Sequence, residues 1–108
     1  MTARLKPIHP GEILQEEFMA PLGLSPHQLA RLLRVPVTRI GEIVRARRSL
    51  SSDTALRLAR LFGTTPEFWV NLQAHFDLAT ARQRGKRRIE GEVQPLRAAR
   101  RHSAAAAS

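Results

Sequence analysis

The sequence contains no cysteine, and this absence excludes both a disulfide framework and a thiolate zinc site. Its four histidines lack the spacing of a metal-binding motif, so we expect no metal and no cofactor. No run approaches the roughly 18 apolar residues needed to span a bilayer, and Pro7 interrupts the N-terminus before the apolar region of a signal peptide could form. From these absences we expect a cytoplasmic protein that does not enter a membrane.

Acidic residues are also scarce, because nine Asp and Glu stand against 18 Lys and Arg and leave a net charge of +9. This charge favours a polyanionic partner, with nucleic acid first and an anionic membrane surface second. Residues 80–108 hold eight Lys and Arg but only two Glu, and therefore six of the nine net charges. Few large aliphatic side chains occur there, so the composition predicts a basic, disordered C-terminal tail.

The first 79 residues instead place apolar side chains three and four positions apart, as amphipathic helices do. A first helix is expected from Gly11 until Pro21 stops it, and Ser25, Ser51 and Thr65 are suited to capping later helices. The pattern predicts an all-α fold of five helices. We divide the chain into an N-terminal arm (1–8), this five-helix domain (9–79) and the tail (80–108).

The predicted third helix, from Val37 to about Arg45, has two chemically different faces. At about 100° per residue, one side is aliphatic and the other polar. A short helix, a tight turn and a second short helix with a polar outer face form the arrangement in which the second helix enters the major groove of DNA. The residues expected to contact double-stranded DNA are Gln28, Thr38, Arg39, Glu42, Arg45, Arg47 and Arg48.

The chemistry of each side chain suggests its role on DNA. Arg39 can make two hydrogen bonds to guanine O6 and N7, and Thr38 can contact a phosphate or a thymine methyl group. Glu42 has two alternatives, because it can accept a hydrogen bond from cytosine N4 or pair with Arg45 or Arg39 on its own helix. The residues placed for phosphate contacts are Gln28, Arg45, Arg47 and Arg48.

Several runs of residues occur together between His9 and Leu78. They are HPGEIL (9–14), EF (17–18), PLGLS (21–25), RIGEIV (39–44) and DTALRLARLFGTTPEFWVNLQ (53–73). Through them the chain resembles the HigA-type antitoxins, a branch of the lambda-repressor-like (Cro/C1, XRE) helix-turn-helix family. The resemblance implies a homodimer that represses its own operon by binding a palindromic operator and that neutralises a RelE-like (HigB-like) mRNA-cleaving toxin.

Two positions depart from the pattern of that family. Arg34 stands in the turn where such proteins often have glycine, and Arg45-Ala46 replaces the Asn-Gly that often closes the recognition helix. A left-handed backbone at a residue other than glycine costs roughly 1 kcal/mol. We expect these departures to reduce stability slightly without changing the fold.

An aromatic-rich stripe is predicted to be core, either of one chain alone or shared with a dimer interface. It consists of Phe68, Trp69, Leu72 and Phe76. Ser25 and Ser51 are explained by capping, which leaves no nucleophile beside an obvious base. We therefore expect neither an enzyme nor a small-molecule substrate.

Two other functions fit the same residues. The chain could be a standalone helix-turn-helix regulator without a toxin partner, or a nonspecific nucleic-acid-binding module that depends on the basic tail. The surface that would bind a toxin is not indicated by the sequence.

Overall fold

The computed structural model describes residues 6–96, and over this range the chain forms five helices and no strand. This confirms the predicted fold class. The first helix, α1, runs without a break through Pro10–Ile13, Leu14–Met19 and Ala20–Leu22. The others are α2 (Pro26–Leu33), α3 (Val37–Val44), α4 (Ser52–Phe62) and α5 (Pro66–Glu92). No helix in residues 6–96 is long and apolar enough to cross a membrane.

The middle of α1 is wider than an α-helix. Leu14–Met19 is π-helical, and the N–H of Ala20 donates to the carbonyl of Gln15, five residues earlier. Pro21 lies inside the turn that follows, and the helix ends at Gly23 with φ 65°. The prediction that Pro21 stops α1 is therefore wrong. A proline clashes with the carbonyl four residues earlier in an α-helix, but the π-helical turn has already displaced that carbonyl.

The turn between α2 and α3 has the predicted helix-turn-helix form. At the start of α2, Ser25 Oγ accepts from the N–H of Gln28, and Gln28 Oε1 accepts from the N–H of Ser25, which completes a capping box. At its end, Arg34 adopts the left-handed conformation with φ 61° and ψ 44°. Arg34 thus takes the backbone shape for which glycine is favoured, and it carries the expected strain.

The core lies where the five helices meet. Its fully buried side chains come from every helix and include Leu14, Leu29, Ile40, Ile43, Leu58 and Trp69. Trp69 Nε1 donates to Thr64 Oγ1 at 2.7 Å, so its polar group is satisfied at the edge of the core. Buried Gln73 accepts a 2.7 Å hydrogen bond from the N–H of Leu50. This bond fastens the segment between α3 and α4 to α5.

Helix α1 crosses α3 so closely that no side chain fits between the two backbones. A Cβ atom on Gly11 would fall on the carbonyl group of Ile43 and lie 2.9 Å from Val44 Cα. Gly11 lies within a regular helix and has no positive φ, so its backbone conformation does not require glycine. Lack of space for a side chain does. The position of α3 is therefore fixed by direct backbone contact with α1.

The helical part of the chain is longer than predicted, because α5 continues through residues 80–92. The prediction of a disordered tail needs correction for this segment. Two ion pairs four residues apart, Lys86–Glu90 at 3.8 Å and Arg88–Glu92 at 3.4 Å, support the helix, and Ala, Arg, Lys and Gln all favour it. The remaining tail, 97–108, and most of the N-terminal arm, 1–5, lie outside the described residues.

The substitution Gly11→Ala should lower the free energy of unfolding by about 2–3 kcal/mol, because the new methyl group must push α1 away from α3. Gly91→Ala is the matched control, since a Cβ atom there meets nothing within 4 Å and alanine favours a helix by up to about 1 kcal/mol. Urea unfolding followed by circular dichroism measures both changes. Equal stability of the two variants would contradict the close backbone contact.

Candidate nucleic-acid interface

The two faces of α3 lie as predicted, with one exception. Ile40 and Ile43 are fully buried, and Thr38 is exposed on the outer side. Gly41, which the spacing of 100° per residue places on the polar side of α3, is buried beneath the side chain of Arg45. A Cβ atom on Gly41 would lie 3.2 Å from the Arg45 guanidinium. Arg45 therefore packs over the helix and holds its positive charge close to the outer face of α3.

The loop after α3 folds back on the helix that precedes it. The N–H of Ala46 donates to the carbonyl of Ile43 at 3.0 Å, and the N–H of Arg47 donates to the carbonyl of Glu42 at 2.8 Å. Ala46 has φ 60°, so it occupies the left-handed position of a Schellman motif, where glycine is favoured. This second departure from the family pattern therefore also carries the expected strain. The motif sets Arg47 and Arg48 beside the end of the recognition helix.

Glu42 pairs with Arg48, and neither Arg39 nor Arg45 is its partner. Arg48 Nε donates to Glu42 Oε1 at 2.8 Å, and both side chains remain about half exposed. The sequence-based alternatives considered only partners three residues away on the same helix. Because the Schellman turn reverses the chain, it brings a residue six positions later back to the same place. Glu42 thus holds the side chain of Arg48 against α3.

Arg39 belongs to a second cluster of ion pairs, centred on Asp53 at the start of α4. Asp53 Oδ2 lies 3.7 Å from Arg39 Nη1 and accepts a 2.8 Å hydrogen bond from Arg57 Nε. Arg57 Nη1 also donates to the carbonyl of Leu33 at the end of α2, at 2.9 Å. Ion pairs this exposed add little stability. Their effect is to orient Arg39 relative to three helices.

Gln28 lies exposed in the first turn of α2, as predicted, but its side-chain oxygen is used by the capping box. Only its amide nitrogen can act as a donor toward a phosphate. The outer side of α3 and the loop after it bring together six of the seven predicted DNA contacts. These are Thr38, Arg39, Glu42, Arg45, Arg47 and Arg48.

His9 connects α1 to the loop that carries Arg48, which sequence reasoning missed. Its Nδ1 accepts from the N–H of Gly11 at 2.9 Å, and its ring makes a hydrogen bond to the backbone of Arg48. The rings of His9 and Phe76 pack edge to face, with their centroids 4.8 Å apart. Burial lowers the pKa of His9, while the hydrogen bond to Arg48 and the charge of Asp77 partly oppose that shift. The fold therefore favours the neutral ring.

Because the pKa of His9 is lowered in the fold, its contribution to stability is complete above the ordinary value of 6.5 and is lost as the pH falls from there through the lowered pKa. We expect the free energy of unfolding to decrease over that range. His9→Asn keeps a capping oxygen without a titrating group, so its stability should vary less. Urea unfolding from about pH 7 to pH 5.5 compares the two proteins. An identical slope in both would rule out His9 as the cause.

The aromatic stripe predicted as a shared dimer interface is divided between core and surface. Trp69 is fully buried inside the chain, while Phe68 is 38% exposed and also packs against Phe18. Leu72 and Phe76 are half-buried. Trp69 therefore offers no surface to a second copy. Within residues 6–96, no three His, Asp or Glu side chains are grouped so that they could hold a metal ion.

This chain belongs to the helix-turn-helix family, whose pattern matches residues 16–69. Virulence-associated protein I of Dichelobacter nodosus is 54% identical over 76 residues, which are 70% of each chain. Antitoxin HigA-1 of Vibrio cholerae is 34% identical over 79 residues, covering 73% of this chain and 74% of that protein. The structure of Pseudomonas aeruginosa antitoxin HigA with the higBA promoter has a TM-score of 0.82 and 47% identity, covering 84% of this chain and 99% of that one. The resemblance to HigA-type antitoxins is confirmed.

Proposed function

We propose that the protein is a sequence-specific repressor that binds a palindromic operator as a homodimer and serves as the antitoxin of a RelE-like toxin encoded beside it. The observation that carries the proposal is the outer face of α3 and the loop after it, which together present four arginines on a helix-turn-helix, with Arg39 and Arg48 oriented by carboxylates. Its similarity to a HigA structure with promoter DNA supports the same interpretation. As an autorepressor it would act in the cytoplasm.

We assign to this protein a binding role without catalysis. The hydroxyl groups of Ser25 and Ser51 accept hydrogen bonds from the helix N–H groups of Gln28 and Thr54, so both serve as caps. Apart from Glu42, the charged side chains of the outer face are arginines, and carboxylates orient two of them, Arg39 and Arg48. Such a surface suits a fixed array of phosphates and base edges.

The expected contacts with DNA are of two kinds: contacts to bases, which determine sequence preference, and contacts to phosphates, which position the protein. We assign base contacts to Arg39 and Thr38, because these two side chains project from the first turn of α3, the part of a recognition helix that reaches base edges. Glu42 acts by holding Arg48 in place. The phosphate contacts are assigned to Gln28, Arg45, Arg47 and Arg48.

Arg39→Ala should weaken operator binding by about 1–3 kcal/mol and remove the preference for one base pair in each half-site. Arg60→Ala is the matched control, because it removes the same charge from an exposed residue in the last turn of α4, whereas Asp53, the partner of Arg39, lies in the first. Gel-shift titrations on the operator, on single-base variants and on random DNA measure both proteins. If Arg39→Ala weakens binding to all sequences equally, Arg39 does not read a base. If the wild-type chain itself prefers no palindrome, it is a nonspecific nucleic-acid-binding module.

The antitoxin role requires a partner protein. Co-expression with the product of the adjacent short gene should yield a stable complex and should restore growth that this product alone inhibits. The Arg39→Ala variant should rescue growth equally well if toxin neutralisation does not depend on DNA binding. An adjacent product that is not toxic and does not bind would leave a standalone regulator.

A further inference from the structure

Arg39 needs a defined side-chain orientation if it is to read a base. The contact at Gly11 fixes the backbone of α3, but an arginine side chain has several further torsions that this contact does not fix. Two parallel hydrogen bonds to guanine require the guanidinium group to lie in the plane of the base. Contacts to phosphate carry no sequence information. The orientation of Arg39 therefore affects base recognition more than it affects the general attraction to DNA.

Asp53 holds Arg39 without using its hydrogen-bond donors. Arg39 Nη1 and Asp53 Oδ2 are 3.7 Å apart, which is an ion-pair distance but longer than a hydrogen bond. The ion pair therefore leaves the donors of Arg39 available for a base edge. The Asp53 side chain is 59% exposed, so this contact is weak by itself. Its carboxylate can direct Arg39 only if it is itself held in place.

Arg57, one turn later on α4, fixes that carboxylate. Arg57 Nε donates to the same oxygen, Asp53 Oδ2, at 2.8 Å, and Arg57 Nη1 donates to the carbonyl of Leu33 at 2.9 Å. Leu33 is the final residue of α2, and the last carbonyls of a helix have no partner inside it. The planar guanidinium thus bridges acceptors on α2 and α4. Two bonds in fixed directions define its orientation.

We propose that Arg57 is a positioning residue for base recognition, acting through Asp53 on the guanidinium of Arg39. Arg57 lies in a depression between α2 and α4, beside Leu56 and Arg60, and not on α3. Its role is to favour base contacts of Arg39 over phosphate contacts, which raises the preference for the operator over other sequences. This inference rests on the proposed function, because it names a residue that makes operator binding selective.

Lysine in place of Arg57 separates positioning from charge. Arg57→Lys keeps the positive charge and can still pair with Asp53 four residues earlier, so the general attraction to DNA should change little. Its ammonium group lacks the planar fork that bonds the carboxylate and the Leu33 carbonyl together. Asp53, and with it Arg39, should therefore become less ordered. Arg60→Lys is the matched control, because it makes the same change at an exposed arginine about one turn later on α4.

The order of Arg39 can be measured without DNA. Nuclear magnetic resonance relaxation at the side-chain Nε of an arginine reports its motion on the ps–ns timescale. Arg57→Lys should lower the order parameter of Arg39 Nε, whereas Arg60→Lys should leave it unchanged. Both variants should unfold at nearly the same urea concentration as the wild type, because ion pairs this exposed add little stability. Equal order of Arg39 in the wild type and in Arg57→Lys overturns the proposal.

Gel-shift titrations measure the consequence for DNA. At the base pair whose preference Arg39→Ala removes, Arg57→Lys should lower the preference about three- to tenfold. Its binding to random DNA should stay within about twofold of the wild type. In the Arg39→Ala background Arg57→Lys should have no further effect on base preference, because the residue on which Arg57 acts is then absent. Arg60→Lys should change neither kind of binding.

The failure of this inference and that of the proposed function are distinguishable. An equal loss on operator and random DNA would mean that Arg57 contacts phosphate itself, and this result overturns the positioning role. An effect on base preference that persists in the Arg39→Ala background overturns it as well. Operator preference that Arg57→Lys does not change overturns the inference and leaves the proposed function intact. A wild-type chain without operator preference refutes the proposed function, and the measurement without DNA still decides whether Arg57 positions Arg39.

Discussion

The contact between Gly11 and the carbonyl of Ile43 is the constraint on which the proposed DNA-binding face depends. Two helices that touch through their backbones leave no side chain whose rotation could change their distance, so α3 is held rigidly against α1. The same corner contains His9, which caps α1 and bonds to the backbone of Arg48. The N-terminus of the domain thus supports both the recognition helix and the loop that follows it.

The ion pairs above this corner explain how arginines stay ordered on a highly basic surface. Arg39 and Arg48 each have a carboxylate partner within the chain, Asp53 and Glu42. Each pair lowers the conformational freedom that a long side chain would otherwise lose when it binds DNA. The carboxylates also reduce the total attraction of this face to phosphate. The ion pairs therefore orient the arginine side chains at the expense of affinity for DNA.

The sequence predicted the helices well where local signals begin or end them. Ser25, Ser51 and Thr65 cap α2, α4 and α5, and Gly63 ends α4 with φ 75°. The prediction from sequence failed where an unusual backbone conformation, or a contact with a residue outside the same helix, decides the structure. Helix α1 accommodates Pro21 because a π-helical turn precedes it. The pattern of residues does not predict such a turn. Glu42 finds Arg48 only because the chain reverses at Ala46. The composition of residues 80–108 also underestimated the length of α5, because composition gives the number of charges and not the four-residue spacing at which they pair.

Arg34 and Ala46 are the positive-φ residues other than glycine within residues 6–96, and they stand in the turns before and after α3. Each left-handed residue stores about 1–2 kcal/mol that is released when its turn opens. Local opening that frees α3 relieves both strains, whereas opening of α4, which ends at Gly63, relieves neither. The backbone contact with α1 opposes such opening and the two strained turns favour it, so we expect the amide hydrogens of α3 to exchange with solvent sooner than the burial of Ile40 and Ile43 alone would suggest.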